Sequence, residues 1–183
     1  VGYLLAATGT LNMADLAVKI PAMAGYDSTL IVTAFGLIAG GLAVKVALFP
    51  VHTWQPDAYS RSTDTVSALI SALVSTVSAY ALARLLLSVF TVDFLIDVRL
   101  AQWGLLAIAS VSIVAGSVLA VSQSNVQRML AYSSVSQFGL VVAGFAIATP
   151  LAVVGATIHL VGHAIMKGGL FAATGIVRRK TGA

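Results

Sequence analysis

The stretch LAVVGATIHLVGHAIMKGGLFAATGIV, residues 151–177, contains three titratable side chains within an otherwise apolar sequence. They are His159, His163 and Lys167, spaced four residues apart. The stretch is longer than the roughly 20 residues that a helix needs to cross about 30 Å of hydrocarbon. A charged side chain at the centre of a bilayer costs about 3 kcal/mol on insertion scales. The apolar stretch predicts a membrane helix, and its three titratable groups are candidate functional residues.

The composition of the whole chain supports the same fold class. The chain has 183 residues, of which 59% are hydrophobic and 9% charged, and its mean hydropathy is +1.00. These values lie far outside those of soluble domains. Apolar stretches recur along the sequence and predict five membrane spans, at residues 29–59, 65–89, 103–121, 130–148 and 151–177. We therefore predict an all-α, polytopic transmembrane helical bundle.

Two regions are expected along the chain. Residues 1–28 are predicted to be the end of a truncated helix and an interfacial connection containing Pro21 and Gly25, because the chain opens on Val1 and its first apolar piece is short. Residues 29–183 are predicted to form a five-span ion-translocation domain. Asp64 is expected to be the N-cap of the second span, and Gly182 follows the basic end of the fifth.

The first predicted span is too long for one straight crossing. Its second half, KVALFPVHTWQPDAY at residues 45–59, contains Pro50 and Pro56. Each proline removes a backbone donor and crowds the preceding turn, so we expect a discontinuous helix that is broken near Pro50. In a membrane, non-helical backbone persists only where protein buries it or where it lines a wet cavity. The break therefore indicates an interior path.

Lysine and arginine are distributed unequally between the two predicted sides of the membrane. One side has only Lys19 and Arg99. The other side has Arg61, Arg128, Arg178, Arg179 and Lys180. Because cytoplasmic connections are enriched in these residues, the richer side is expected to be cytoplasmic.

Lys45 is a candidate functional residue because it lies in apolar sequence one turn before Pro50. Its ammonium group would be costly at mid-membrane, and Asp57 follows about three turns later. The alternative is that Lys45 reaches a membrane interface and has only a structural role. We favour a functional role, since apolar residues surround Lys45 on both sides.

His159, His163 and Lys167 are predicted to form one stripe on the fifth span. Steps of four residues advance by about 400°, so the three side chains line a face about 12 Å long. Histidine exchanges protons near neutral pH, and a stripe joined by water could pass a proton to the lysine. The alternative, favoured for a single membrane histidine, is an interhelical hydrogen bond. Three aligned titratable groups favour proton transport.

Hydroxyl side chains line one face of the second span. Ser67, Ser71 and Ser75 share this face, with Thr76 and Ser78 beside it. Small hydroxyl residues at this spacing usually indicate close helix packing, which we favour here over a water-lined path.

The sequence lacks the residues and motifs that several other functions require. Cysteine is absent, which excludes disulfides and thiolate sites within this chain. His159 and His163 could supply two metal ligands, but the chain contains no glutamate or cysteine to complete a site. The basic residues are scattered through hydrophobic sequence, which argues against nucleic acid as a partner. We expect neither metal nor cofactor, and no bond-making chemistry in this chain.

Two blocks of sequence resemble one family. They are KVALFPVHTWQPDAYSRSTDTVSALISALVSTVSAYALARLL at residues 45–86 and NVQRMLAYSSVSQFGLVVAGFAIATPLAVVGATIHLVGHAIMKGGLF at residues 125–171. Both are similar to the antiporter-like membrane subunits of respiratory complex I, Mrp-type sodium/proton antiporters and membrane-bound hydrogenases. The resemblance covers nearly the whole chain and implies the end of the sixth helix through the eleventh of about fourteen. It also implies a location in the inner (cytoplasmic) cell membrane, among other membrane subunits.

The resemblance implies roles for particular residues. Lys45 matches the lysine of the broken seventh helix, and the acidic partner of that lysine is expected upstream of Val1. His159, His163 and Lys167 match the histidine and lysine group of the eleventh helix, so the four residues together would form a proton relay.

The sequence departs from the family pattern at three places. Thr76 and Ser71 stand where many relatives have a lysine or histidine on the eighth helix. Gln137 stands where a number of relatives have histidine, and the proline usual before the eighth helix is absent from STDTVSAL.

The function implied by the resemblance is translocation of protons, or of sodium and protons, in a multisubunit membrane complex. The missing eighth-helix lysine and the stretch VHTWQPDAYSRS at residues 51–62 favour the hydrogenase or Mrp branch of the family. The alternatives are a complex I antiporter-like subunit and a structural membrane subunit that moves no ions. In an oxidoreductase complex this chain would be the ion-pumping membrane subunit.

Overall fold

The computed structural model describes residues 1–23 and 29–181, and these residues form helices and turns without a strand. Five of the helices are long and apolar enough to cross a membrane, at Thr29–Val46, Asp64–Val89, Arg99–Val121, Val126–Ile147 and Pro150–Thr181. The predictions of an all-α fold and of five spans are therefore confirmed. Gly25 and Gly182 lie outside the described residues.

Two short helices precede the first span. Helix α1, Gly2–Thr8, ends at Gly9, whose left-handed backbone closes the helix. Helix α2, Met13–Ala22, is capped by Asn12, whose side chain accepts a hydrogen bond from the Ala14 N–H. Lys19 ties the two helices together, because its Nζ donates to the Thr8 carbonyl at 3.0 Å.

The first predicted span is broken near Pro50, as predicted. Helix α3, Thr29–Val46, and helix α4, Trp54–Arg61, are separated by turns at residues 47–53. Pro50 lies within these turns. Pro56 does not extend the break, because it stands in the first turn of α4, where a helix needs no N–H donor.

The second span contains two widened turns. Helix α5, Asp64–Leu69, and helix α6, Ser75–Arg84, are joined by a π-helical turn at Ile70–Val74, and a second π-turn follows at Leu85–Val89. The prediction that Asp64 is the N-cap is wrong, since Thr63 takes that position and Asp64 is the first helical residue. The Asp64 carboxylate instead binds side chains of other helices, as described below.

The remaining helices complete the bundle. Helix α7, Thr91–Asp97, leads into α8, Arg99–Val121, which forms an antiparallel hairpin with α9, Val126–Ile147. Helix α10, Pro150–Thr181, packs against α9 and the second span. A buried trio of rings, Phe35, Phe90 and Phe94, joins α3 to the far end of the second span, with centroids 4.9–5.1 Å apart.

Helices α8 and α9 approach each other closely at two glycines. A Cβ atom added at Gly116 would lie 2.6 Å from the backbone nitrogen of Ser136, and one at Gly139 would lie 2.9 Å from the Ala109 carbonyl oxygen. Backbone atoms cannot move aside as a flexible side chain can. The close contact therefore requires glycine at both positions. Small residues generally let the backbones of membrane helices approach each other in this way.

We expect Gly116→Ala to destabilise the folded protein by about 1–3 kcal/mol, because the added methyl group overlaps the backbone of α9. Thermal unfolding in detergent would measure the change. Gly104→Ala is the matched control, since it lies on the same helix and its Cβ would meet nothing within 4 Å. Equal stability of the two variants would show that the close approach does not exist.

Candidate functional site

The three titratable residues of α10 face the interior of the bundle. Only 1% of His163 and 5% of Lys167 are exposed, whereas His159 is half-buried. The imidazole rings of His159 and His163 lie 6.4 Å apart between centroids. The structure thus brings these residues together as one stripe.

Lys167 is held by α9. Its Nζ donates to the Leu130 carbonyl at 2.7 Å and also hydrogen-bonds the Ser133 hydroxyl. Both acceptors are neutral, and no carboxylate of the described residues pairs with this ammonium. A buried charge without a counter-ion is costly, so the position of Lys167 requires an explanation beyond stability.

The two histidines have unused hydrogen-bonding capacity. The Nε2 atoms of His159 and His163 are buried and find no hydrogen-bond partner among the described residues. The ring of His163 instead lies edge-on to Phe138 of α9, with centroids 4.9 Å apart. Because buried polar atoms normally bind protein or ordered water, these two atoms indicate a place where water or a further protein group can reach the stripe.

Several backbone groups at the broken segment are paired by hydrogen bonds. The Phe49 N–H donates to the Ser112 hydroxyl of α8 at 2.9 Å, and the Leu48 N–H donates to the Ala43 carbonyl at 3.0 Å. The indole Nε1 of Trp54 donates to the Val44 carbonyl at 2.8 Å. These bonds replace the helical ladder that Pro50 interrupts, as a break at membrane depth requires.

Lys45 stands apart from the stripe. It lies in the last turn of α3, is exposed on the surface of the described chain, and has no hydrogen-bond or ion-pair partner among residues 1–23 and 29–181. Asp57 does not pair with it, because the Asp57 carboxylate accepts a bond from Arg128 at 2.9 Å. The structure therefore does not bring Lys45 together with the α10 residues.

The hydroxyl face of the second span is buried. Ser67, Ser71 and Ser75 are each no more than 1% exposed. A spacing of four residues drifts forward around an α-helix, whereas the i→i+5 bonding of a π-turn winds fewer degrees per residue. The π-turn at Ile70–Val74 therefore offsets the drift and keeps all three serines on the interior face.

Ser75 belongs to a polar cluster that the sequence did not predict. The amide Nε2 of Gln55 donates to the Tyr59 hydroxyl at 2.9 Å and to the Ser75 hydroxyl at 3.2 Å, and the two hydroxyls lie 3.1 Å apart. All three side chains are at most 1% exposed. The four-residue spacing of Gln55 and Tyr59 was the available signal, since it places both on one face of α4.

Ion pairs join the helices at one end of the bundle. Besides the pair between Asp57 and Arg128, Arg178 of α10 donates to Asp64 at 2.9 Å, and the Gln127 amide donates to the same carboxylate at 3.1 Å. These groups are partly exposed, so each pair contributes little stability. They do show that the predicted basic connections meet acidic partners at a common end.

The fold and site define a multi-pass membrane protein with a stripe of titratable residues buried between its helices. All 183 residues match the family described as NADH:quinone oxidoreductase/Mrp antiporter, TM. The chain belongs to this family.

Curated relatives and a solved structure agree with that membership. NADH-quinone oxidoreductase subunit N of Desulforudis audaxviator is 46% identical over 100% of this chain and 36% of its own length. A Na(+)/H(+) antiporter subunit of Bacillus subtilis is 33% identical over 100% of this chain and 36% of its own length. The chain thus spans about a third of these relatives. A chain of the Mrp complex from Dietzia sp. DQ12-45-1b superimposes with a TM-score of 0.86 at 28% identity, covering 97% of this chain and 31% of that one.

We expect Ser112→Ala to destabilise the broken segment by about 1 kcal/mol, because the partly buried Phe49 N–H would lose its acceptor. Ser122→Ala is the control, since the Ser122 hydroxyl is exposed and binds only a carbonyl of its own helix end. Thermal unfolding and proteolysis near Pro50 would measure the difference. Unchanged stability in Ser112→Ala would contradict the role given to this bond.

Proposed function

We propose that this chain is part of a proton-translocating, antiporter-like subunit, with His159, His163 and Lys167 in its proton relay. The observation that carries the proposal is the burial of Lys167 between neutral acceptors, next to histidines whose Nε2 atoms have no partner in the described part of the chain. Histidine and lysine bind and release protons without other chemistry. A stripe of such groups through apolar helices is suited to carrying protons through the interior.

The proposed role of Lys45 is to link the relay to an outside driving event. Lys45 lies in the last turn of α3, directly before the turns that break the first span. We propose that Lys45 pairs with an acidic group that the described residues do not supply. A redox or ion-gradient event in a partner subunit would weaken that pair and send a proton along water towards Lys167.

The buried polar groups favour protons over sodium as the transported ion. All of the described carboxylates near the relay, Asp57 and Asp64, are bound to arginine at the helix ends. The α10 relay itself has only imidazole and ammonium groups, and a backbone carbonyl and a hydroxyl are the partners of Lys167. A sodium ion stripped of water would meet a like charge at Lys167, whereas a proton can be taken up by the histidine rings.

We propose that the subunit works with other membrane subunits in a large complex of the inner (cytoplasmic) cell membrane, with the basic helix ends in the cytoplasm. The structural neighbour within an Mrp complex supports membrane partners. The branch that we propose is the hydrogenase or Mrp type, because a serine and a threonine occupy the site of the eighth-helix lysine. A complex I type subunit is the second candidate, and the 46% identity to a quinone oxidoreductase subunit N favours it.

We expect Lys167→Met, made in the full-length subunit, to abolish proton pumping while the complex still assembles. Methionine fills a similar volume but carries no proton, and it avoids the cost of a charge in the interior, so the variant should still assemble. Pumping would be measured in membrane vesicles by quenching of a fluorescent amine, together with the rate of the driving reaction. Lys45→Met is expected to uncouple the driving reaction from pumping.

Lys180→Met is the matched control for both variants, because Lys180 is exposed at the end of α10. Its pumping should equal that of the unmodified complex. Full pumping by Lys167→Met, with assembly and stability intact, would refute the relay and favour the purely structural role.

A further inference from the structure

The cluster of Gln55, Tyr59 and Ser75 is a buried hydrogen-bonded group that the α10 relay does not use. It joins α4, just after the break, to α6 in the second span. No member carries a formal charge. A buried cluster of this kind is rigid when every donor and acceptor in it has a hydrogen-bond partner.

Two hydrogen-bonding groups of the cluster have no partner among the described residues. Both Nε2 hydrogens of Gln55 are used, but its Oε1 atom is buried and has no partner among the described residues. One hydroxyl hydrogen is spent between Tyr59 and Ser75, so the other hydroxyl hydrogen has no acceptor in residues 1–23 and 29–181. One spare acceptor and one spare donor are left. Buried groups in this state usually bind ordered water.

The cluster lies beside the Lys167 site. The Tyr59 ring packs edge-on against Phe171, with centroids 5.4 Å apart, and Phe171 follows Lys167 by one helical turn. Tyr59 and Phe171 share a small apolar cluster with Leu130, whose carbonyl binds Lys167. Next to Ser75, the buried Oγ1 of Thr76 is also without a partner among the described residues.

We propose that Gln55, Tyr59 and Ser75 form an uncharged proton-transfer bridge, completed by water, between the broken segment and Lys167. The proposal rests on the proposed function, because a bridge needs a relay to serve. It adds Tyr59 and Ser75 as transfer groups and Gln55 as a positioning residue. A hydroxyl both donates and accepts a hydrogen bond, so it can pass a proton without holding a charge.

The proton balance of the bridge is simple. Water brings the excess proton to one hydroxyl oxygen, which forms a new O–H bond while its own hydrogen passes to the neighbouring oxygen. The second hydroxyl releases its hydrogen to water on the far side, and a neutral Lys167 takes up the proton. Each O–H bond that breaks is matched by a new O–H bond, or in the last step by the new N–H bond of Lys167, and no electrons move. Gln55 exchanges no proton and holds the two oxygens 3.1 Å apart.

The test uses two variants of equal shape in the full-length subunit within its complex. Ser75→Thr keeps the hydroxyl and Ser75→Val lacks it, while the added volume is the same. We expect Ser75→Val to pump protons about tenfold more slowly, which corresponds to the loss of about one hydrogen bond at the transfer step. Ser75→Thr should retain most of the pumping, as measured in vesicles by amine-dye quenching.

Tyr59→Phe provides an independent test, because it removes only the hydroxyl and keeps the ring against Phe171. It should slow pumping to a similar extent. Ser78→Ala is the control on the same helix, since the Ser78 hydroxyl binds only the Val74 carbonyl. That variant should pump normally.

The results of these experiments distinguish a failure of the bridge from a failure of the proposed function. Equal losses in Ser75→Thr and Ser75→Val would overturn the bridge, because the effect would then follow volume and not the hydroxyl. Normal pumping by Ser75→Val and Tyr59→Phe would also overturn it, and loss of pumping in Lys167→Met would then show that the relay itself stands. Normal pumping by Lys167→Met would overturn the proposed function and the bridge with it.

Discussion

The structure depends on one constraint, which is that backbone polar groups inside a membrane must be paired by the protein itself. The chain breaks its first span at residues 47–53 and so loses part of a helical ladder. Ser112 and Trp54 supply hydrogen bonds that replace it. The break is hydrogen-bonded to α8, and in α4, which follows it, Gln55 and Tyr59 are buried.

Charged side chains have ion-pair partners at one end of the bundle and neutral partners in its interior. At one end of the bundle, Asp57 and Asp64 pair with arginines in positions that are partly exposed. In the interior, Lys167 has a carbonyl and a hydroxyl as partners. Ion pairs at exposed ends are inexpensive and fix the helices relative to one another, whereas a buried charge with neutral partners can change its protonation without breaking an ion pair.

Much of the fold could be predicted from the sequence because hydrocarbon imposes simple rules on length and polarity. The five spans, the break near Pro50 and the stripe on α10 follow from apolar runs, proline chemistry and the four-residue spacing of His159, His163 and Lys167. The N-cap at Asp64 was predicted wrongly, because local rules do not show that Gln127 and Arg178, on distant helices, bind that carboxylate.

The sequence by itself determined that this chain is a multi-pass helical bundle with titratable groups inside, since periodicity and composition are local properties. Only the tertiary structure decided which groups meet. It left Lys45 exposed on the described chain, gave Lys167 its partners on α9, and joined Ser75 to Gln55 and Tyr59. These contacts join residues on different helices. They depend on how the break and the π-turn orient the polar faces of the helices.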